Sequence, residues 1–244
     1  MLIPIINFDY WGLPIYNIMC IAGLAAALLT LIKNENDLKV DSFQAEKING
    51  SFIAAVPIAL LFANISNWFL QPMIFGYPIW QRFALGGFAF YYGMLGFFAA
   101  SALFLRLRKQ NAAFWLNEVV PSLLILHAFG RVGCSLAGCC YGVRIEPLHI
   151  SGGAINRFPA REVEALCLFI MYCVFQFKIK HSRLFWYLLS YAAIRFFIEF
   201  GRGDDRGRLF SDVLSPAQVT SLAILGLLFI MTAYRRWAIY KHKR

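Results

Sequence analysis

Charge is what this sequence has least of. Only 15% of its 244 residues are Asp, Glu, Lys or Arg, where a soluble domain carries about a quarter. With 60% hydrophobic residues and a mean hydropathy of +0.61, that scarcity excludes an ordinary water-soluble domain. Acidic residues are scarcer than basic ones, 13 against 23, for a net charge of +10. The basic residues stand between apolar segments rather than along one face, which argues for membrane topology and against nucleic-acid binding. Six cysteines at irregular spacing do not make a secreted disulfide framework. No internal repeat or low-complexity tract is present. Met1-Leu2-Ile3-Pro4 has no basic n-region, and no small-residue cleavage site follows the first apolar run, so no cleaved secretory signal is expected.

What the chain does have is long apolar runs, each near the roughly 20 residues that span a hydrocarbon core of about 30 Å. A lead with Tyr10, Trp11 and Pro14 precedes the first span, Tyr16 to Ile32. The second is Phe52 to Leu70, followed by a turn-rich link from Gln71 to Gln81. The third runs from Phe83 to Leu105, and the fourth, Ala112 to Leu126, is short and could be re-entrant. Val143 to Ala160 reads as polar and turn-like, with Gly152. The fifth to seventh spans are Val163 to Phe177, Leu184 to Phe200 and Val219 to Tyr234. The expected fold is therefore all-α, a polytopic membrane protein of about seven transmembrane helices in a single domain, residues 1–244.

Connections after the odd-numbered spans, with the C-terminal tail, hold 14 Lys and Arg, and those after the even-numbered spans hold 8. Such a bias marks the cytoplasmic side. The N-terminus is thus expected outside and the C-terminus in the cytoplasm. All 8 basic residues on the outer side are Arg, among them Arg131, Arg157, Arg161, Arg202, Arg206 and Arg208. Topology does not ask for that choice, but planar two-pronged recognition of a phosphate does.

Between His127 and Gly142 lie four glycines, Arg131, and Cys134, Cys139 and Cys140. Glycine at that density predicts a loop, because each costs a helix about 1 kcal/mol against alanine. A guanidinium in such a loop suits a lipid headgroup phosphate. A second constellation is Tyr191, Arg195, Glu199 and Arg202, spaced to share one helical face. Charges inside a membrane segment are costly and point into the bundle or a wet cavity. One reading is a structural Arg195–Glu199 pair; the other is an arginine face closing on an anionic headgroup. Asp204 and Asp205 would then join Arg202 to Arg208 as a rim. Glu118, Glu162, Glu164 and His127 are further titratable groups at similar expected depth, any of which could serve as a base. The spacing of Cys134, Cys139 and Cys140 matches no common zinc motif and no fourth ligand is evident, so no metal is expected. The apolar-span cysteines Cys20, Cys167 and Cys173 read as packing residues.

These residues resemble the bacterial prolipoprotein diacylglyceryl transferases. Gly130-Arg131-Val132-Gly133, with the stretch through Gly142, resembles the family's signature loop. Tyr16 resembles its first-span tyrosine. Gly86-Gly87-Phe88-Ala89-Phe90 with Gly93 and Gly96 resembles its third-span motif. Pro159 and Glu164 resemble the ends of its proline-to-glutamate motif. Tyr191, Arg195, Glu199 and Arg202 resemble its Arg-x-x-x-Glu-x-x-Arg helix, and Leu214-Ser215-Pro216-Ala217-Gln218 is similar to the opening of its last span. The resemblance implies transfer of a diacylglyceryl group from phosphatidylglycerol to the lipobox cysteine thiol of a lipoprotein precursor, with no cofactor, at the outer face of the bacterial inner membrane. It also implies that Arg131 and Arg195 grip the lipid phosphate, supported by Tyr16, Tyr191 and Glu199. Gly130, Gly133, Cys134, Cys139, Glu164 and Arg202 complete the expected substrate site.

Three departures stand out. Tyr91 replaces a histidine of the third-span motif, and Cys134 and Cys139 replace an asparagine and a glutamate of the signature loop. Phe158, Arg161 and Val163 replace the histidine, glutamine and tyrosine of the proline motif. The group that activates the thiol is therefore open among His127, Tyr91 and Glu164. Two alternatives follow: the same lipid donor with another thiol or small acceptor, or a phospholipid-binding or transport protein without turnover.

Overall fold

The computed structural model describes residues 15–70, 90–150, 153–203 and 214–242. The lead around Tyr10, Trp11 and Pro14, the link 71–81, the motif residues Gly86 to Ala89, Gly152, and the rim residues Asp204, Asp205, Arg206 and Arg208 lie outside the described residues.

The described residues fold into helices α1 (Ile15–Asp37), α2 (Ser42–Leu70), α3 (Phe90–Leu107), α4 (Ala112–Glu118), α5 (Val120–Leu136), α6 (Ala160–Phe177), α7 (Arg183–Ile198) and α8 (Pro216–His242). A hairpin of β1 (Arg144–Ile150) and β2 (Gly153–Arg157) separates α5 from α6. This hairpin stands where the composition predicts only turns. Its antiparallel pairing, Leu148 with Ile155 and His149 with Ala154, gives backbone groups partners that an irregular loop would leave to water.

Among the described residues, six stretches are long and apolar enough to cross a membrane: Ile15–Asp37, Ser42–Ile65, Phe90–Leu107, Ala112–Leu136, Arg183–Gly201 and Pro216–Ala238. Helix α6 occupies the place of the expected fifth span but carries Arg161, Glu162 and Glu164 in its first turns. Their outer faces are covered with aliphatic and aromatic side chains: Leu29 is 68% exposed and Phe229 73%. In water such surfaces would be aggregation liabilities, whereas lipid solvates them. The chain is an all-α, multi-pass membrane protein.

By internal contacts the chain divides into two compact units, one of Met1–Thr30, Val120–Asp205 and Ala217–Arg244, the other of Leu31–Val119 and Arg206–Pro216. In the second unit α2 packs on α3, and a Cβ at Gly93 would sit 3.0 Å from Ala63 Cβ, so small residues bring the two helices close. Phe52 and Phe97 stack there at 6.0 Å. Small residues let membrane helices approach closely, which is where their van der Waals attraction comes from. Asp41 caps α2 by accepting the Gln44 amide at 2.9 Å. In the first unit α5 and α6 pack along their lengths, and α7 joins both. The Thr30 and Tyr172 hydroxyls lie 3.3 Å apart, tying α1 to α6.

Candidate active site

Glu164 stands in the second turn of α6, and its side chain is wholly buried. Arg131 of α5 reaches it with Nη2 at 3.0 Å from Oε1. Arg195 of α7 reaches the other oxygen, with Nη1 at 3.7 Å from Oε2. The Tyr191 hydroxyl donates to Oε1 at 3.1 Å. Arg195 also pairs with Glu199, Nη2 to Oε2 at 2.6 Å, and Arg202 approaches the same oxygen at 3.8 Å. Two guanidiniums from distant parts of the chain therefore meet across one carboxylate.

The helix face read from the sequence holds with one change. Helix α7 ends at Ile198, and Glu199–Gly201 tighten into a 3-10 turn that swings Arg202 into the same cluster. Tyr191, Arg195 and Arg202 are all buried. Burying an ion pair is costly, and leaving a buried charge without a counter-charge is costlier still. Here Arg131, Arg195 and Arg202 meet Glu164 and Glu199. Ionised together they leave one positive charge over. Arg131 Nε, moreover, has no hydrogen-bond partner among the described residues. The arrangement suits a monoanion with several acceptor oxygens, as a phosphodiester is.

Arg131 is not in a loop. The glycine-dense stretch continues α5 through Leu136, and only the residues from Ala137 onward form the loop that composition predicts over the whole segment. Packing outweighs propensity here. A Cβ at Gly133 would sit 3.1 Å from both Met19 Cβ and Tyr16 Cδ2, so the bare glycine lets α1 lie against α5. Tyr16 is placed by that contact, beside the turn of α5 that carries Arg131 and Cys134. Among the described residues, nothing beyond its chain neighbours and the helix's own backbone lies within 4 Å of where a Gly130 side chain would be.

His127 is one turn before Arg131, buried, with its ring edge-on to Tyr191 at 5.0 Å. The loop after α5 is stitched to the end of α7. Val143 N–H donates to the Gly201 carbonyl at 2.9 Å, Gly203 N–H to Tyr141 at 3.0 Å, and Phe158 N–H to Val143 at 2.9 Å. Any side chain at Gly142 would collide with the Phe158 carbonyl oxygen. The crossing that positions Arg202, which bridges to Gly142, thus requires glycine.

Two further arginines near the cluster do not join it as bare donors. Arg157 donates to the Gly142 carbonyl at 3.2 Å and lies over the Tyr141 ring. Arg161 pairs with Glu162 at 3.0 Å and donates to the carbonyls of Cys139 and Cys134 at 2.6 and 3.3 Å. Both brace the loop. Burial alone would raise the Glu162 carboxyl, but hydrogen bonds from the Ser135 hydroxyl, its own amide and Arg161 hold it below the usual carboxylate range. Cys134, Cys139 and Cys140 are thiols whose sulfurs all lie within 4.8 Å of one another. Tyr91 is buried in α3 of the second unit. Glu118 belongs to that unit too, its backbone carbonyl accepting from Asn34 at 3.2 Å.

Sequence reasoning ranked Glu164 among several possible bases and supports. Its position as the bridge between the two arginines was not read; the only signal was an acidic residue early in an apolar helix.

A family model described as prolipoprotein diacylglyceryl transferase matches residues 5–234. The chain belongs to this family. Among curated relatives, the phosphatidylglycerol–prolipoprotein diacylglyceryl transferase 2 of Clostridium perfringens is 28% identical over 237 residues, covering 89% of this chain and 90% of its own. The transferases of Clostridium tetani and Mannheimia succiniciproducens are each 28% identical, over 250 and 252 residues. They cover 90% and 93% of this chain and 94% and 91% of their own. The family match takes in α5, α6 and α7 whole, and with them every residue of the Glu164 cluster.

Proposed function

We propose that the chain transfers the diacylglyceryl group of phosphatidylglycerol to the lipobox cysteine thiol of a lipoprotein precursor. The observation that carries this reading is the buried cluster at Glu164, with three guanidiniums against two carboxylates. Its surplus charge matches the single negative charge of a phosphodiester. The acceptor sulfur attacks the glyceryl carbon, and the bond from that carbon to the phosphate oxygen breaks. Its electron pair leaves with glycerol phosphate, which gains a second negative charge. Arg131 and Arg195 stabilise that charge as it develops. Donors held in place before the reaction avoid reorganisation, and removing one costs about 10²–10³ in rate in known cases.

Glu164, with its oxygens turned to Arg131, Arg195 and Tyr191, serves as the counter-ion that holds both guanidiniums in place. His127 and Tyr91 remain the candidates for taking the thiol proton, and Tyr16, Gly130, Gly133, Cys134 and Cys139 line the substrate side. The Lys and Arg bias supports a bacterial inner-membrane protein with its N-terminus outside, its C-terminus cytoplasmic, and the Arg131 face outward. A second reading keeps the same lipid donor and changes the acceptor to a different thiol or small nucleophile.

The test incubates the purified full chain with headgroup- and acyl-labelled phosphatidylglycerol and a lipobox peptide. Acyl label on the peptide and released glycerol phosphate are expected, with transfer reduced at least about 100-fold in Arg131→Ala. A peptide that stays unlabelled, beside an active relative under the same conditions, overturns the reading. A screen of other thiols then decides between the two acceptors.

A further inference from the structure

We infer that Cys134, Cys139 and Cys140 form a three-thiolate zinc site whose fourth position is taken by the acceptor thiol. The inference rests on the proposed transfer reaction and supplies the thiol-activating group that the reaction needs. Cys139 is exposed, unlike the partly buried packing cysteines Cys20, Cys167 and Cys173. The three sulfurs nevertheless converge within 4.8 Å. Zinc–sulfur bonds of about 2.3 Å in tetrahedral geometry place sulfurs roughly 3.8 Å apart. Closing the remaining gap of roughly 1 Å falls to the loop beyond Leu136, where Cys139 and Cys140 sit.

The surroundings suit an anionic metal site. Arg161 donates to the carbonyls of Cys134 and Cys139 and so holds both ends of the loop. Cys139 Sγ also contacts the Cys134 carbonyl at 3.6 Å. Three thiolates around Zn²⁺ carry one net negative charge, and Arg131 is within electrostatic reach of Cys134 and Cys140. Arg131 precedes Cys134 by three residues, about 4.5 Å along the helix. A metal held by Cys134 therefore neighbours the group proposed to hold the lipid phosphate.

Zinc with three protein ligands keeps an open position, and a thiol that coordinates there loses its proton. An acceptor thiol would displace bound water and release that proton to solvent. Its sulfur lone pair then forms the bond to the glyceryl carbon, while the carbon–oxygen pair departs with glycerol phosphate. The thioether product is neutral and a weak ligand, so water returns to the metal. No oxidant or reductant enters. The site thereby answers what the missing histidine leaves open, without asking Tyr91 to act as a base.

The test uses the full chain purified in detergent with its thiols kept reduced and no chelator. Metal analysis should find about one zinc per chain, lost in Cys139→Ser and in Cys140→Ser, with thermal unfolding showing that each variant is folded. Replacing zinc by Co²⁺ should give sulfur-to-cobalt charge-transfer absorption. A lipobox peptide should raise it by roughly a third, as a fourth thiolate joins three, while the peptide with serine for cysteine changes nothing. Absence of metal from the reduced protein, or a cobalt spectrum blind to the peptide thiol, overturns the inference. So does full transfer by chelated, metal-free protein, which would leave the lipid reading standing. A cobalt spectrum that responds to the thiol, with no transfer from phosphatidylglycerol, would do the reverse.

Discussion

Arg183 and Arg131 are both buried, yet their partners differ in kind. Arg183 opens α7 and donates Nε to the carbonyls of Phe175 and Ile179, at 3.1 and 2.8 Å, where α6 ends. A cation at a helix C-terminus meets the negative end of the helix dipole and carbonyls that lack an in-helix donor. That arginine is spent on structure. Arg131 stands towards the C-terminal end of α5 and faces Glu164 in company with Arg195, within a cluster that keeps one positive charge in excess. Burial of arginine alone does not mark a site in this protein. Surplus charge with a donor left over does.

The difference can be broken at either end. Arg131→Ala should lower transfer at least about 100-fold. It should also destabilise the protein by roughly 3–5 kcal/mol, since Glu164 keeps its charge with one of its two arginine partners gone; labelled-lipid transfer and thermal unfolding in detergent measure the two. Glu164→Gln should follow, lowering stability within the same range and loosening phosphatidylglycerol binding, because Arg131 then loses its counter-charge and Arg195 keeps only Glu199. If binding tightened instead, the counter-ion role would be wrong. Gly142→Ala should cost about 1–3 kcal/mol through overpacking against the Phe158 carbonyl, with a loss of transfer that Arg202→Lys reproduces without the loss of stability.

Arg183→Ala sharpens the contrast from the other side. Two carbonyls lose their donor, for about 1–3 kcal/mol of stability, while transfer per folded molecule stays at the parent level. A drop in turnover at unchanged protein level would erase the distinction between the two arginines. The smallest effect belongs to Glu162→Gln. A carboxyl held below its usual range adds stability at neutral pH and loses it as pH falls through its folded value. The parent's advantage over the variant should therefore be present at pH 7 and vanish at pH values under the ordinary carboxylate range.

Apolar runs long enough to cross a membrane are local facts of composition, and so is the spacing that stacks Tyr191, Arg195 and Glu199 along one helix. These were legible because each depends only on neighbours within a few turns. The glycine-dense stretch predicts a loop for the same reason, and the structure continues it as helix. Propensity speaks for the isolated segment, but α1 lying on Gly133 decides whether the helix continues. The hairpin between α5 and α6 also escaped, since its pairing joins residues that composition marks only as polar.

The primary sequence alone determined that this chain crosses a membrane several times, that its arginines gather between particular apolar runs, and that Arg195, Glu199 and Arg202 share one helical spacing. Tertiary structure alone decided that Glu164 is the junction of that face with Arg131, 33 residues before it in the chain. It also decided that three cysteines of the following turn and loop converge. The physical reason is the same in both cases. An ion pair or a set of ligands is defined by distance in space, and the packing of α5, α6 and α7 sets that distance.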